Sequence, residues 1–201
     1  MEKILFFIFA LLSLITNVSA GWQEDIIHEA NIKYFPAIIT IKENPAVAAS
    51  ADYGFNELKV ELYTGLLKSP RMTPDALRMT ICHELGHLYG GHPRKNAPME
   101  WEGPRDENGM SFLSAEGQAD YFAGLECFRK ITSEDVKTDR IAKAGFEFLT
   151  LVFPFPISIE TPDLSVSPFL IRDSYPARQC RLDTIIAGAN KNSRPACWFK
   201  D

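Results

Sequence analysis

The segment His83-Glu84-Leu85-Gly86-His87 gathers two imidazoles and a carboxylate within five residues. On a helix, four residues make slightly more than one turn and about 6 Å of rise, so His83 and His87 project from one face. Two imidazoles so placed can hold one zinc ion, each at roughly 2.0–2.1 Å. Glu84 adjoins the first of them, where its carboxylate reaches a water on the metal without being a ligand and can take its proton. Gly86 keeps the approach to this helix uncrowded. The bland alternative is an ordinary helix that carries two polar residues.

Two histidines leave zinc short of a protein ligand. The run from Ser114 to Ala123 (SAEGQADYFA) offers one, because Glu116 and Asp120 stand four apart among small and apolar residues. Two carboxylates pointing inward need a cation or strong donors. Glu116 as the third ligand and Asp120 as acceptor for the outer N–H of a ligating histidine meet that need. A solvated acidic face accounts less well for Ala119, Phe122 and Ala123 beside them.

The elements that must position these residues follow from pattern. Thr73-Pro74-Asp75 reads as a helix start, with Thr73 as cap, and Ala76 to Tyr89 runs as one helix that stops at Gly90-Gly91. A second helix runs from near Ser114 through Arg129, a third from Ser133 to about Leu151, and a last one opens at Ser174-Tyr175-Pro176 and reaches about Ala187. Upstream, Trp22 to Lys33 reads as a helix closed by Pro36. Ala37 to Ile41 and the alternating Leu58-Lys59-Val60-Glu61-Leu62-Tyr63 read as strands, and Ala46 to Tyr53 is ambiguous. His92 to Gly109 and Pro154 to Pro168 read as loops. A few strands before a run of helices indicate an α+β fold.

The 201 residues suffice for one domain, and 46% hydrophobic with 23% charged residues is a globular composition. A net charge of −5 with scattered Lys and Arg argues against a nucleic-acid partner. Residues 1–20 read as a signal peptide: Lys3, the apolar run Ile4 to Ile15, and the small-residue exit Val18-Ser19-Ala20. That run falls short of the roughly 18–20 residues that span a bilayer, so no stable membrane span is expected after cleavage, and 21–201 form the mature domain. Cys82, Cys127, Cys180 and Cys197 suit an oxidising compartment, secreted or periplasmic, and allow three pairings. Cys180 and Cys197 can close a small loop, and Cys82 can equally be a free core thiol. None has zinc-finger spacing.

His-Glu-Leu-Gly-His followed by Glu116-x-x-Ala119-Asp120-x-x-Ala123 resembles the gluzincin metallopeptidases, within them the branch of the CAAX prenyl endopeptidases and their soluble periplasmic relatives. The resemblance implies a zincin-like fold, with a small sheet over the motif helix and a second ligand-bearing helix packed below it. It implies zinc on His83, His87 and Glu116, with Asp120 behind a ligating histidine. That branch also has a His-Pro-x-x-x-x-Arg segment for the transition state and site architecture. Tyr175-Pro176 and Arg181 match its spacing, with Tyr175 where the family has His. The resemblance covers Thr80 to about Leu182 at its motifs only. The metzincin register would put the third histidine at position 93, which is Pro93, so His92 falls one residue early. The expected activity is a zinc metalloendopeptidase acting on a peptide or protein, with Leu58–Tyr63 as the edge strand that pairs with substrate. A catalytically silent adaptor or chaperone-like protein and an effector with one dedicated partner are the alternatives.

Overall fold

The computed structural model describes residues 21–54, 57–97, 104–133, 135–151 and 156–200. In chain order the elements are α1 (Trp22–Lys33), β1 (Ile38–Lys42), β2 (Ala49–Tyr53), β3 (Leu58–Tyr63), α2 (Thr64–Leu67) and α3 (Pro74–Tyr89). After a long loop come α4 (Glu116–Phe122), a π-helical turn (Ala123–Cys127), α5 (Phe128–Thr132), α6 (Thr138–Leu149) and α7 (Arg178–Ala189). The architecture is mixed α and β: one three-stranded sheet and a set of helices. The proposed signal segment lies outside the described residues.

α3 begins as its sequence dictates. The Thr73 hydroxyl accepts the Ala76 N–H at 3.0 Å and Pro74 fills the first helical position, where no N–H is required. The helix is the hub of the fold. The sheet and α1 pack on it, α4, the π turn and α6 pack on it as well, and α7 closes behind α4 and α6. Leu77, Met79, Ile81 and Leu85 are fully buried among Val60 and Leu62 of β3, Phe128 and Ile131 of α5, and Ile185 of α7.

One expectation about the sheet is overturned. The strand order is β1-β3-β2, so Leu58–Tyr63 is the central strand, paired parallel with β1 and antiparallel with β2. Alternation reports that one face is buried, here Val60 and Leu62, and carries no information about the strand's edges. Among the described residues the edges are β1 and β2. The ambiguous Ala46–Tyr53 stretch supplies β2.

The helices differ from expectation mainly at their ends. The second helix starts at Glu116, two residues after Ser114, widens into the π turn, and runs on to Thr132. The widening falls where Cys127 is bonded to Cys82 and where a Cβ on Gly124 would lie 2.1 Å from the Ile185 carbonyl. Ser133 takes a left-handed conformation that ends α5, and extended Lys137 delays α6 to Thr138, five residues later than expected. Tyr175 and Pro176 precede α7, because Ala177 is still extended. Cys82 is not a free thiol: the pairs are Cys82–Cys127 and Cys180–Cys197. The C-terminal tail, to which no role was assigned, buries Trp198 against α4, where a Cβ on Gly117 would meet its ring at 2.4 Å.

Gly86 has a stronger reason than uncrowded access. A Cβ there would lie 2.6 Å from the Ala119 carbonyl oxygen and 2.7 Å from its Cα, so α3 and α4 touch backbone to backbone at this point. Gly86→Ala is therefore expected to cost roughly 1–3 kcal/mol through overpacking. That corresponds to a melting temperature lower by roughly 2–10 °C for a chain of this size. An unchanged melting temperature would show that the two helices are not held this close.

Candidate metal centre

The backbone contact between α3 and α4 brings three ligand-type side chains together. His83 and His87 are 4% and 5% exposed on the buried face of α3. Their outer nitrogens are both engaged. His83 Nδ1 pairs with Asp120 Oδ1 at 2.9 Å, and His87 Nδ1 with the Ser114 carbonyl at 2.8 Å. An imidazole held through Nδ1–H presents the Nε2 lone pair on its far side. Both Nε2 atoms face Glu116, at 3.3 Å from His83 to Oε2 and 3.5 Å from His87 to Oε1. One ligand atom from each of the three residues lies within 4.8 Å of the others.

This set fits a zinc-type ion. Two imidazole nitrogens and one carboxylate oxygen are its usual donors and leave a position open for substrate or water. Glu116 Oε2 is buried and makes no hydrogen bond of good geometry; the His83 ring nitrogen 3.3 Å away meets its charge when protonated, and a metal ion would take the place of that proton. Burial acts to raise the Glu116 carboxyl, but the two imidazoles facing it hold it well below the ordinary carboxylate range. Burial acts to lower His83, yet the charge and hydrogen bond of Asp120, with Glu116 beyond, push it up to about 9.

Behind the ligands, Asp120 is fully buried. Arg181, from α7, forks onto it, with Nε 2.7 Å from Oδ2 and a terminal nitrogen 2.9 Å from Oδ1. Burial pushes Asp120 upward, and the Arg181 guanidinium and His83 outweigh it and hold the carboxyl low. The other faces of Arg181 stack under two rings, Tyr175 at 5.0 Å and Phe148 at 5.5 Å from the ring centres. The Phe148 ring also lies 5.3 Å from the His83 ring.

Glu84 and Tyr175 open on the cleft. Glu84 is 8% exposed and shares with Tyr175 and Ala49 the walls of two adjoining cavities. The larger, about 350 Å³, is lined by Val47, Phe148, Leu149 and Pro176. The smaller, about 170 Å³, is lined by Ala51, Lys95 and Leu113 beside His87 and Glu116. Although Tyr175 is 66% exposed, desolvation and the charges of Glu116 and Glu84 push its hydroxyl above the ordinary phenol value against the pull of Arg181, so it holds its proton at neutral pH.

His92 stands apart. Its side chain is 63% exposed, faces Asp106 at 3.9 Å, and belongs to no ligand cluster among the described residues. Two participants had no signal in the sequence. The Ser114 carbonyl is a backbone group and leaves no residue-type mark, and Lys95, with Nζ 2.7 Å from Glu116 Oε1, was one more charge in a loop.

Residues 17–101 match the model of Peptidase family M48. The match takes in His83, Glu84 and His87, covers less than half of the chain, and ends before Glu116, Asp120, Tyr175 and Arg181. No curated protein and no solved structure matches the chain. The partial match and the His83–His87–Glu116 cluster together support a metal-dependent peptidase. Nothing in the match singles out the CAAX prenyl endopeptidase branch.

The elevated His83 gives a pH dependence with a definite sign. In protein stripped by a chelator, His83 holds its proton up to about pH 9 and must lose it to ligate. Metal affinity should therefore fall as pH falls, by about tenfold per unit below that value. Binding near neutral pH should release about one proton per ion in weakly buffered solution. An affinity flat from about pH 7 to 8.5 would contradict the assignment.

Proposed function

We propose that this protein is a zinc-dependent metalloendopeptidase, with zinc held by His83, His87 and Glu116. The observation that carries the reading is the clustering of those three ligand atoms on a face where Glu84, from the same helix, opens on the cleft. Zinc bound there supplies a Lewis acid for the scissile carbonyl and for water.

The rest of the chemistry falls to the chain's own groups. Glu84 takes a proton from the attacking water and returns it to the departing amine. Tyr175, keeping its proton at neutral pH, donates to the oxyanion that develops on the carbonyl oxygen. Asp120 holds the His83 ring through Nδ1, and Arg181 holds Asp120, so Arg181 positions the site.

The cleft suits an extended peptide. Among the described residues β2 is an edge strand; Ala49 lines both cavities and Ser50 and Ala51 the smaller one, so the free edge of β2 takes the pairing role first assigned to Leu58–Tyr63. A substrate lying antiparallel to β2 would place residues after the scissile bond near Val47 and Phe148, in the larger and more apolar cavity.

The two disulfides suit an oxidising compartment, and no described helix is long and apolar enough to cross a membrane. The disulfides agree with a protein exported by residues 1–20 and acting outside the cytoplasm.

Two variants test the chemistry on a denatured protein substrate. Glu84→Gln keeps a polar group of the same shape, so fold and metal content should be unchanged while hydrolysis falls by roughly 10²–10⁴-fold. Equal hydrolysis by Glu84→Gln and wild type would refute the base. Binding of the same peptide by both without cleavage by either would favour the adaptor. Tyr175→Phe should keep zinc and lower kcat by roughly 10²-fold, and full activity would show that the phenol plays no part.

A further inference from the structure

The two oxygens of the Glu116 carboxylate are not equivalent. Oε1 receives the Lys95 ammonium at 2.7 Å, and Oε2 is buried and makes no hydrogen bond of good geometry. Lys95 is firmly placed. Its N–H donates to the Leu113 carbonyl at 2.9 Å, and its carbonyl accepts the Ser111 N–H at 3.2 Å. On either side of it, Arg94 bridges to Ser114 and the Pro93 carbonyl accepts the Ala115 N–H at 2.9 Å. The loop carrying Lys95 is thus stitched to the residues that lead directly into α4, which holds Lys95 beside Glu116.

Lys95 does not stand between the histidines. Among the described residues its ammonium makes no hydrogen bond to either imidazole, and its ion pair is with Oε1 alone. It approaches the carboxylate from the smaller cavity, with its side chain 27% exposed.

We propose that Lys95 is a positioning residue for the metal ligand: it engages Glu116 Oε1 so that the carboxylate favours Oε2 as its donor to the ion. This rests on the zinc reading above. A charge-assisted hydrogen bond of this length occupies one of that oxygen's two lone pairs, draws charge from it, and restricts the rotation of the carboxylate, so Oε1, although 3.5 Å from His87 Nε2, is the weaker donor of the two. Glu116 would then ligate through one oxygen and leave room at a bound ion for water and a substrate carbonyl. Lys95 also offsets the negative charge that Glu116 brings, so the ion's pull on a carbonyl is not damped by its own ligand. Partners of this kind, one bond removed from the metal, set both orientation and affinity.

Cobalt(II) in place of zinc reads this directly, because its visible absorption weakens when a fifth ligand joins four. Cobalt-loaded wild type and Lys95→Met, Lys95→Gln and Lys95→Arg would be compared at equal metal occupancy, with melting temperature as the control for folding. Lys95 is partly exposed at a cleft edge, so all three variants are expected to fold. With Oε1 released, Lys95→Met and Lys95→Gln should bind cobalt and lose a large part of the visible absorption as Glu116 becomes bidentate. Lys95→Arg, which restores the donor, should keep the wild-type spectrum. Spectra of Lys95→Met and Lys95→Gln identical to wild type would overturn the proposal and leave the metal site standing. Failure of wild type to bind cobalt at all would overturn the metal reading itself, and this proposal with it.

Discussion

The site depends on one buried charge. Asp120 has no access to water, and an unpaired carboxylate in that position costs several kcal/mol. Arg181 from α7 and His83 from α3 meet it from two directions, so a single side chain on α4 fixes three helices against one another. Glu116 stands one turn before Asp120 on α4 and faces the imidazoles from the same side of that helix. The surrounding covalent and packing features serve the same geometry. The Cys82–Cys127 disulfide begins one residue before His83 and ties α3 to the end of the π turn, closing a loop of 45 residues. Chain entropy alone assigns such a closure about 4 kcal/mol. Trp198 sits against Gly117 and supports the start of α4 from the outside.

The chemistry was more legible than the scaffold. His83, Glu84 and His87 fall within five residues on one helix, and Glu116 and Asp120 within five on another, so helical periodicity alone predicts which faces they share. The structure brings both groups together: Asp120 hydrogen-bonds His83, and the Glu116 oxygens lie 3.3 and 3.5 Å from the two Nε2 atoms. The sheet was legible in its strand Leu58–Tyr63 and illegible in its order. Strand order depends on which backbone edges find partners, and side-chain alternation does not record that. The cysteine pairing was likewise a matter of three-dimensional proximity. Lys95 and the Ser114 carbonyl escaped for a related reason, since both act from the loop before α4, where neither spacing nor residue type marks a role.

The correction at the sheet bears on function. A central strand has no free edge to offer, and β2 has one, running past Glu84 between two cavities of unlike character. On one side lie Val47, Phe148, Leu149 and Pro176, and on the other Lys95 beside Ala51 and Leu113. Tyr175 hangs over the junction, its ring stacked on Arg181. The same guanidinium that neutralises Asp120 thus seats the proposed oxyanion donor, so ligand orientation and transition-state contact share one support.

The measurement that tests this account most directly is the zinc content of the purified mature protein and of four alanine variants. Wild type should hold about one zinc per chain, the occupancy of a single three-ligand site. His83→Ala, His87→Ala and Glu116→Ala should each lose most of it, and His92→Ala should keep it. Retention of zinc by Glu116→Ala together with its loss from His92→Ala would contradict the assignment and place the third ligand on the loop after α3.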